Sequence, residues 1–194
     1  AALIEAGATL TAQRTEVGEA FEKDIVARLI ELGMPNTRFT VSITPRRQPD
    51  ATGVDSVAFL FSANKNGTLQ DIAEVASGGE ISRIMLSLKS IIATATAMPT
   101  LIFDEIDTGI SGRTANDVGD IIARLAQSMQ VIDITHSPQV ASKGSRHFLV
   151  YKEQSRSNIR PLSAEERIEE IAKMLSGDKI TDAAISQAKH LLSI

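Results

Sequence analysis

"TLIFDEIDTGISGR", residues 100–113, decides how this chain is read. Leu101, Ile102 and Phe103 form a short apolar run, with Met98-Pro99 before it and Asp104-Glu105 after it. A bounded apolar run of this length reads as a buried strand of a parallel sheet. A strand that ends in two carboxylates puts acid at the carboxyl edge of the sheet, where open α/β folds bind ligands. Phosphoryl-transfer sites need such an acid, because a hard cation held by carboxylate and water neutralises phosphate charge. Asp104 is the candidate magnesium-side acid, acting through water. Glu105 lies one residue past the strand, where a carboxylate can orient and deprotonate an attacking water. Taken alone, the pair also fits two ordinary strand-end acids.

Downstream, Asp107 sits in a loop with Gly109 and Gly112, either as a ligand-side residue or as a local cap for the next helix. A helix is expected over about 113–128. "VIDIT" (131–135) reads as a second buried strand, and His136 follows it directly. If the two strands are neighbours, His136 joins the acids at one sheet edge, where a neutral imidazole can hydrogen-bond a terminal phosphate. A strand-end histidine with only a structural role is the alternative. "HFLVYK" (147–152) reads as a third strand, and strand–helix–strand order predicts an α/β unit with a parallel sheet. Two helices close the chain. Ser163-Ala164-Glu165-Glu166 is a capping box for the first, and the second starts near Thr181.

Upstream lies "VASGGEISRIMLSLKS", residues 75–90. From Ile81 onward, Ile84, Met85, Leu88, Ile91 and Ile92 recur at helical spacing, and Met98-Pro99 ends the helix. Ser77 and Glu80 fit the S-x-x-E capping box, but capping explains neither Gly78 nor Gly79. Each glycine costs about 1 kcal/mol against alanine in a helix interior. Without Cβ atoms the first-turn amides are bare, and a helix N-terminus with bare amides is a ready anion site. Further upstream, "RFTVSI" (38–43) and "SVAFLF" (56–61) are strand-like. "TPRRQPDATG" between them reads as a loop broken by Pro45, Pro49 and Gly53, and "NKNG" (64–67) reads as a turn. Residues 1 to about 33 read as one helix. Leu3, Leu10 and Val17 recur by sevens, and the stripe then moves to Phe21, Ile25, Leu29 and Leu32. This is the pattern of a coiled-coil end running into a globular body, residues 34–194, with an ordinary surface helix as the alternative.

The 194 residues are 43% hydrophobic and 23% charged, enough for a real core. There is no cysteine, which excludes a disulfide framework, a thiolate metal site and a cysteine nucleophile. No run approaches the roughly 18 apolar residues of a membrane span, and no signal peptide is visible. The net charge of −4 gives no basic nucleic-acid-binding face, and Arg46-Arg47 and Lys143/Arg146/His147 read as solvated surface charge. The chain starts on Ala1-Ala2 within a helical pattern, as expected of a piece of something longer.

A Ser-Gly-Gly helix start, an amphipathic helix, an apolar strand ending in Asp-Glu, an Asp loop and a strand ending in His stand in a fixed order. This order resembles the C-terminal half of an ATP-binding-cassette ATPase. The resemblance makes Ser77, Gly78, Gly79 and Glu80 the signature motif, and Leu101–Glu105 the Walker B strand. It places Asp107 in the D-loop and makes His136 the switch histidine. "ASGGEISRIMLSLKS", "PTLIFDEIDTGISGR", "ITHSPQVA", "HFLVYK" and "RIEEIAKMLSG" more closely resemble the RecN family of SMC-like ATPases, over most of residues 55–194. "SANKNG" departs mildly from the asparagine-proline-glycine turn of that family, and residues 1–54 match only in kind. The resemblance implies a C-terminal head lobe with a coiled-coil stub, using ATP and Mg2+ in DNA double-strand-break repair in the cytoplasm at the nucleoid.

No G-x-x-x-x-G-K-[ST] occurs in the chain; Gly109 to Thr114 has the wrong spacing and no lysine. In the family the P-loop lies in an N-terminal lobe beyond a long coiled coil, and two heads sandwich ATP. The implied partners are therefore that Walker A lobe, a second copy of the head, and DNA through the full-length protein, with no membrane. Gly78 and Gly79 would then admit a γ-phosphate presented by the other head. Glu80 is awkward there, since a carboxylate disfavours a nearby anion. Two other readings stay open. A transporter ATPase is disfavoured because Ile81-Ser82-Arg83 follows the glycine motif in place of Gln-Arg. A non-enzymatic dimerisation scaffold is disfavoured by the intact Asp104-Glu105 pair.

Overall fold

A computed structural model describes residues 2–74, 78–177 and 179–194. The chain divides into two compact units, one up to Ile92 and one from Ala93. Ser77 and the S-x-x-E box it would form with Glu80 lie outside the described residues.

The first unit holds α1 (Ala2–Glu31), β1 (Arg38–Asp50), β2 (Gly53–Ser62), β3 (Gln70–Asp71), a 3-10 turn (Ile72–Glu74) and most of α2 (Gly78–Ala95). The three strands form one antiparallel sheet in the order β1-β2-β3. Helix α1 lies along this hairpin. A Cβ on buried Gly7 would fall 2.8 Å from Val54 Cγ1, so glycine is what lets helix and strand approach there. Near the middle of α1, Thr11 Oγ1 donates to both carboxylate oxygens of buried Asp55 at 2.8 and 3.0 Å. Arg14 bonds Asp55 at 3.3 Å and the Thr52 carbonyl at 2.7 Å. At the C-terminal end of α1 the contact becomes apolar. Ile25 and Leu29 join Met34, Phe39, Phe61 and Ile84 in one core, and Phe21, Phe39 and Phe59 meet at ring distances of 5.7–6.0 Å. The stripe from Phe21 to Leu29 is thus core. Leu3 and Val17 of the sevenfold spacing face outward, 66% and 65% exposed.

The expected loop over 44–53 is a correction. Strand β1 continues through Pro45 and Pro49 to Asp50, with a register shift between Pro45 and Asp50. Both prolines are tolerated because β1 is an edge strand, where a missing N–H can face away from the ladder, and because bulges absorb what remains.

The second unit holds the end of α2, then β4 (Thr100–Asp104), α3 (Gly112–Leu125), β5 (Gln130–Ile134), the short α4 (Pro138–Ala141), β6 (Phe148–Glu153), β7 (Arg156–Pro161), α5 (Ala164–Ser176) and α6 (Asp182–Leu192). β4 and β5 pair in parallel, from Thr100 opposite Gln130 to Asp104 opposite Ile134. Helix α3 buries Ala115, Val118, Ile121 and Ile122, a stripe at helical spacing. The α/β class holds, but among the described residues parallel pairing is confined to β4 and β5. β6 pairs antiparallel with β7, a strand with no clear sequence signal, because residues 154–155 turn the chain back on itself. The sheet is also less buried than its composition predicts. Leu101 and Phe103 are buried, whereas Ile102, Ile132 and Ile134 on the other face are 56%, 45% and 52% exposed. α5 opens on the expected capping box: Ser163 Oγ accepts from the Glu166 amide at 3.2 Å and Glu166 accepts from the Ser163 amide at 2.8 Å. Thr181 caps α6 in the same manner, accepting from Ala184 N at 3.1 Å. α5 and α6 close on Ile171, Ala172, Ala184 and Ala188.

Candidate active site

The β4–β5 pair does what the two strand ends require. Because the strands are parallel and in register, Asp104 and Glu105 at one carboxyl end lie beside the segment that carries His136 at the other. Asp104 and His136 are exposed, as groups that meet a ligand must be. Glu105 donates its backbone N–H to the Ile134 carbonyl at 2.9 Å, extending the ladder one residue past β4. Its own carbonyl accepts from the Thr108 amide at 3.1 Å. Between these two bonds Glu105 takes φ = +50°, a left-handed conformation that a residue with a Cβ adopts at a cost of about 1–2 kcal/mol. Backbone strain of this kind gathers at functional sites, where surrounding structure enforces it. The effect is to turn the chain sharply and leave the Glu105 side chain exposed beyond the strand end.

Asp107 behaves differently. It is 1% exposed, and its Oδ2 accepts a short hydrogen bond from Thr135 Oγ1. Thr135 Oγ1 in turn accepts from the Ser137 amide at 2.9 Å. One hydroxyl therefore ties the loop after β4 to the turn that carries His136. Asp107 thus lies inside the loop rather than on its surface. Asp133, on β5, has both carboxylate oxygens buried and without a hydrogen-bond partner, as is Asp107 Oδ1. Burial, and secondarily the charge of Asp107, push the Asp133 carboxyl up from 3.8 to about 7. Neither Thr135 nor Asp133 stood out as a site residue in the sequence. The available signal was a carboxylate in the middle of the apolar run Val131–Ile134.

Gly78 opens α2 in the other unit, and it is exposed. A Cβ added there would meet nothing within 4 Å among the described residues. Packing among the described residues does not call for glycine at this position. Glu80 and Arg83 follow on the first turns, where Arg83 Nε donates to the Gly79 carbonyl at 3.0 Å and Arg83 Nη1 to the Leu32 carbonyl at 3.3 Å. Of the two basic clusters, Arg46 is paired with Asp50, and Lys143 with Asp120 at 2.7 Å.

Among the described residues no group of three or more His, Asp or Glu side chains is placed to hold a metal ion. Asp104 fits a magnesium site of another kind, in which one carboxylate works with water and substrate phosphates. No described helix is long and apolar enough to cross a membrane.

No family model matches the sequence. Curated relatives do. The chain is 38% identical to DNA repair protein RecN of Deinococcus radiodurans, over all of this chain and 34% of that one. It is 39% identical to RecN of Treponema pallidum, over 99% of this chain and 35% of that one, and 36% identical to RecN of Streptomyces coelicolor, over 94% and 35%. The chain thus spans about a third of the length of the curated relatives it matches. Among solved structures, it superposes on the Smc head domain with a coiled coil and joint from Pyrococcus yayanosii with a TM-score of 0.65, at 20% identity, over 81% of this chain and 29% of that one. A chain from structural work on ATP-driven dimerisation and DNA-stimulated activation of SMC ATPases superposes with a TM-score of 0.62, at 17% identity, over 87% of this chain and 99% of that one. At 36–39% identity over nearly all of its length, the chain is homologous to about a third of the RecN DNA repair proteins, and its fold is shared with SMC heads.

Proposed function

We propose that this chain is the C-terminal ATPase lobe of a RecN-type double-strand-break repair protein, acting in the cytoplasm at the nucleoid. Residues 1–33 would be the end of its coiled coil and residues 34–194 its head lobe. The observation that carries the reading is the carboxyl edge of β4 and β5, where Asp104, a strained Glu105 and His136 stand at neighbouring strand ends. Asp104 would hold Mg2+ through water, and the ion would neutralise phosphate charge on ATP. Glu105 acts as the general base, with its carboxylate beyond the strand end where an attacking water can be oriented. His136 donates a hydrogen bond from its ring N–H to the terminal phosphate. Asp107 serves the nucleotide through the loop it holds in shape.

The signature residues Ser77, Gly78, Gly79 and Glu80 belong to the opposite face of the reaction in this reading. They would meet a nucleotide held by the P-loop of a second head, and the P-loop itself would come from the N-terminal lobe of the same protein. The space around Gly78 supports this, because nothing described within the chain needs a glycine there. The bare Ile102, Ile132 and Ile134 face supports a missing lobe against the sheet. DNA would be bound by the full-length protein.

The test is ATP turnover by this chain alone and then joined with the N-terminal lobe. The reading expects silence alone and turnover when joined, lost in Glu105→Gln and in Ser77→Arg. Turnover by the chain alone, or undiminished turnover in Glu105→Gln, refutes it. Silence in both settings with the lobes associated favours a dimerisation scaffold, and a membrane partner on pull-down favours a transporter.

A further inference from the structure

Asp133 has no part in the site as described so far, yet its setting demands an explanation. β5 is parallel to β4, and Asp133 stands opposite buried Phe103. Thr135, two residues further on, follows on the same side of the strand. Thr135 Oγ1 gives its proton to Asp107 Oδ2 and accepts from the Ser137 amide, so this hydroxyl has no proton left to give. Three oxygens remain: Asp107 Oδ1 and both oxygens of Asp133, all buried and all without a donor. Two ionised carboxylates in one buried site, with three empty acceptors, is a costly arrangement, because buried charge must be paired or neutralised. Among the described residues no cationic side chain bonds these oxygens. Asp107 is the one charged group that acts appreciably on Asp133, and it has the same sign. Asp104 alternates to the opposite, open face of β4, His136 lies past the strand end, and Lys143 is taken by Asp120. Among the described residues, the remedy left is a proton.

We propose that Asp133 is a carboxylic acid that donates its proton to Asp107 Oδ1, so that the chain Asp133–Asp107–Thr135–Ser137 N–H fixes the loop after β4 against the turn that carries His136. Asp133 is then a positioning residue for Glu105 and His136; this role rests on the ATPase reading above. One proton satisfies two of the three empty oxygens and removes one of two like charges. It also accounts for an acid in the middle of an otherwise apolar strand. Loss of the proton restores the repulsion beneath the loop whose first residue is the strained Glu105, so the site loosens as pH rises.

The proton is read directly by carboxyl carbon NMR on this chain across a pH titration. One aspartate should titrate near neutrality; that resonance should vanish in Asp133→Asn and shift to lower pH in Asp107→Asn. If every aspartate titrates in the ordinary acidic range, the proposal is overturned. Stability gives a second readout. A carboxyl raised in the folded state stabilises below its unfolded value and loses that contribution as pH rises to its folded value. Asp133→Asn, which keeps an N–H donor without the charge, should therefore raise the melting temperature relative to wild type more at about pH 8 than at about pH 5. An equal change at both values counts against the proposal.

Turnover by the whole protein tests the positioning role. Wild type should lose kcat as pH rises through neutrality with KM nearly unchanged, and Asp133→Asn should flatten that loss. Asp133→Ala, with no donor, should lower kcat by about tenfold or more at every pH, as misplacement of reacting groups does. A wild-type limb that persists in Asp133→Asn refutes the positioning role even if the titration is as expected. Absence of turnover in the wild-type whole protein instead refutes the ATPase reading and this role with it, while the NMR titration still decides whether Asp133 holds the proton.

Discussion

Replacing Glu105 by glycine should make the protein more stable while ending its chemistry. Glu105 has φ = +50°, where any side chain with a Cβ is strained by about 1–2 kcal/mol. Glycine removes that strain but loses about 0.4–1 kcal/mol through greater freedom of the unfolded chain. The proper comparison is Glu105→Gly against Glu105→Ala, since both remove the carboxylate and only one removes the Cβ. The two backbone bonds that hold the turn, Glu105 N–H to Ile134 and Thr108 N–H to Glu105, survive in both variants. The exposed side chain contributes little packing to lose. Glycine should therefore exceed alanine by about 1 kcal/mol, within a range of 0–1.6. For a chain of this size that is a rise of about 2–4 °C in melting temperature. Urea denaturation of the two variants side by side, with equal slopes, measures the difference. Alanine more stable than glycine would mean that Glu105 is not held in the left-handed region, and the argument from strain to function would fall. The turnover assay completes the picture, because both variants should be inactive when joined with the N-terminal lobe.

Gly78→Ala should leave the stability of this chain unchanged or slightly raised, by up to about 1 kcal/mol, since a Cβ there meets nothing and alanine favours helix. The same substitution should lower turnover of the joined lobes, and unchanged turnover would remove the reason offered for the glycine. Asp55→Ala leaves Thr11 and Arg14 of α1 without their shared acceptor and should destabilise the first unit by about 1–3 kcal/mol in urea denaturation. Glu165 and Glu166 are both held below the ordinary glutamate value of 4.5, the first mainly by backbone hydrogen bonding and the second mainly by the Ser163 amide. A depressed carboxyl stabilises above its unfolded value and loses that contribution as pH falls through its folded value. Hydrogen exchange in the first turn of α5 should accordingly speed up, relative to the rest of the helix, below about pH 4.5, and Glu166→Gln should reduce that pH dependence. His147 is lowered from 6.5, chiefly by burial and then by Arg167. Its neutral form is the one the fold accepts, so stability should decline as pH falls below 6.5, and His147→Gln should reduce that decline.

The sequence by itself determined the local elements and the order in which the candidate residues follow them. A helix is a property of spacing along one segment, so α2, α3, α5 and α6 were legible from apolar periodicity and caps, and Ser163 and Thr181 cap as their residue types require. The positions of Asp104, Glu105 and His136 at strand ends were legible because a strand end is itself a local feature. Pairing is not local. Nothing in "TPRRQPDATG" shows that β1 lies at a sheet edge, and the edge is why two prolines can sit in a strand. Nothing in "HFLVYK" shows that its partner is the next strand rather than β5. The run Leu101–Phe103 was read as buried on both faces, whereas the fold leaves Ile102 half open, because burial depends on what else reaches the sheet. Tertiary structure also decided where Asp107 points and that Asp133 shares its surroundings. Those facts follow from two strands meeting in parallel register, and the energy of a buried carboxyl is set by the charges and donors around it rather than by its neighbours in the chain.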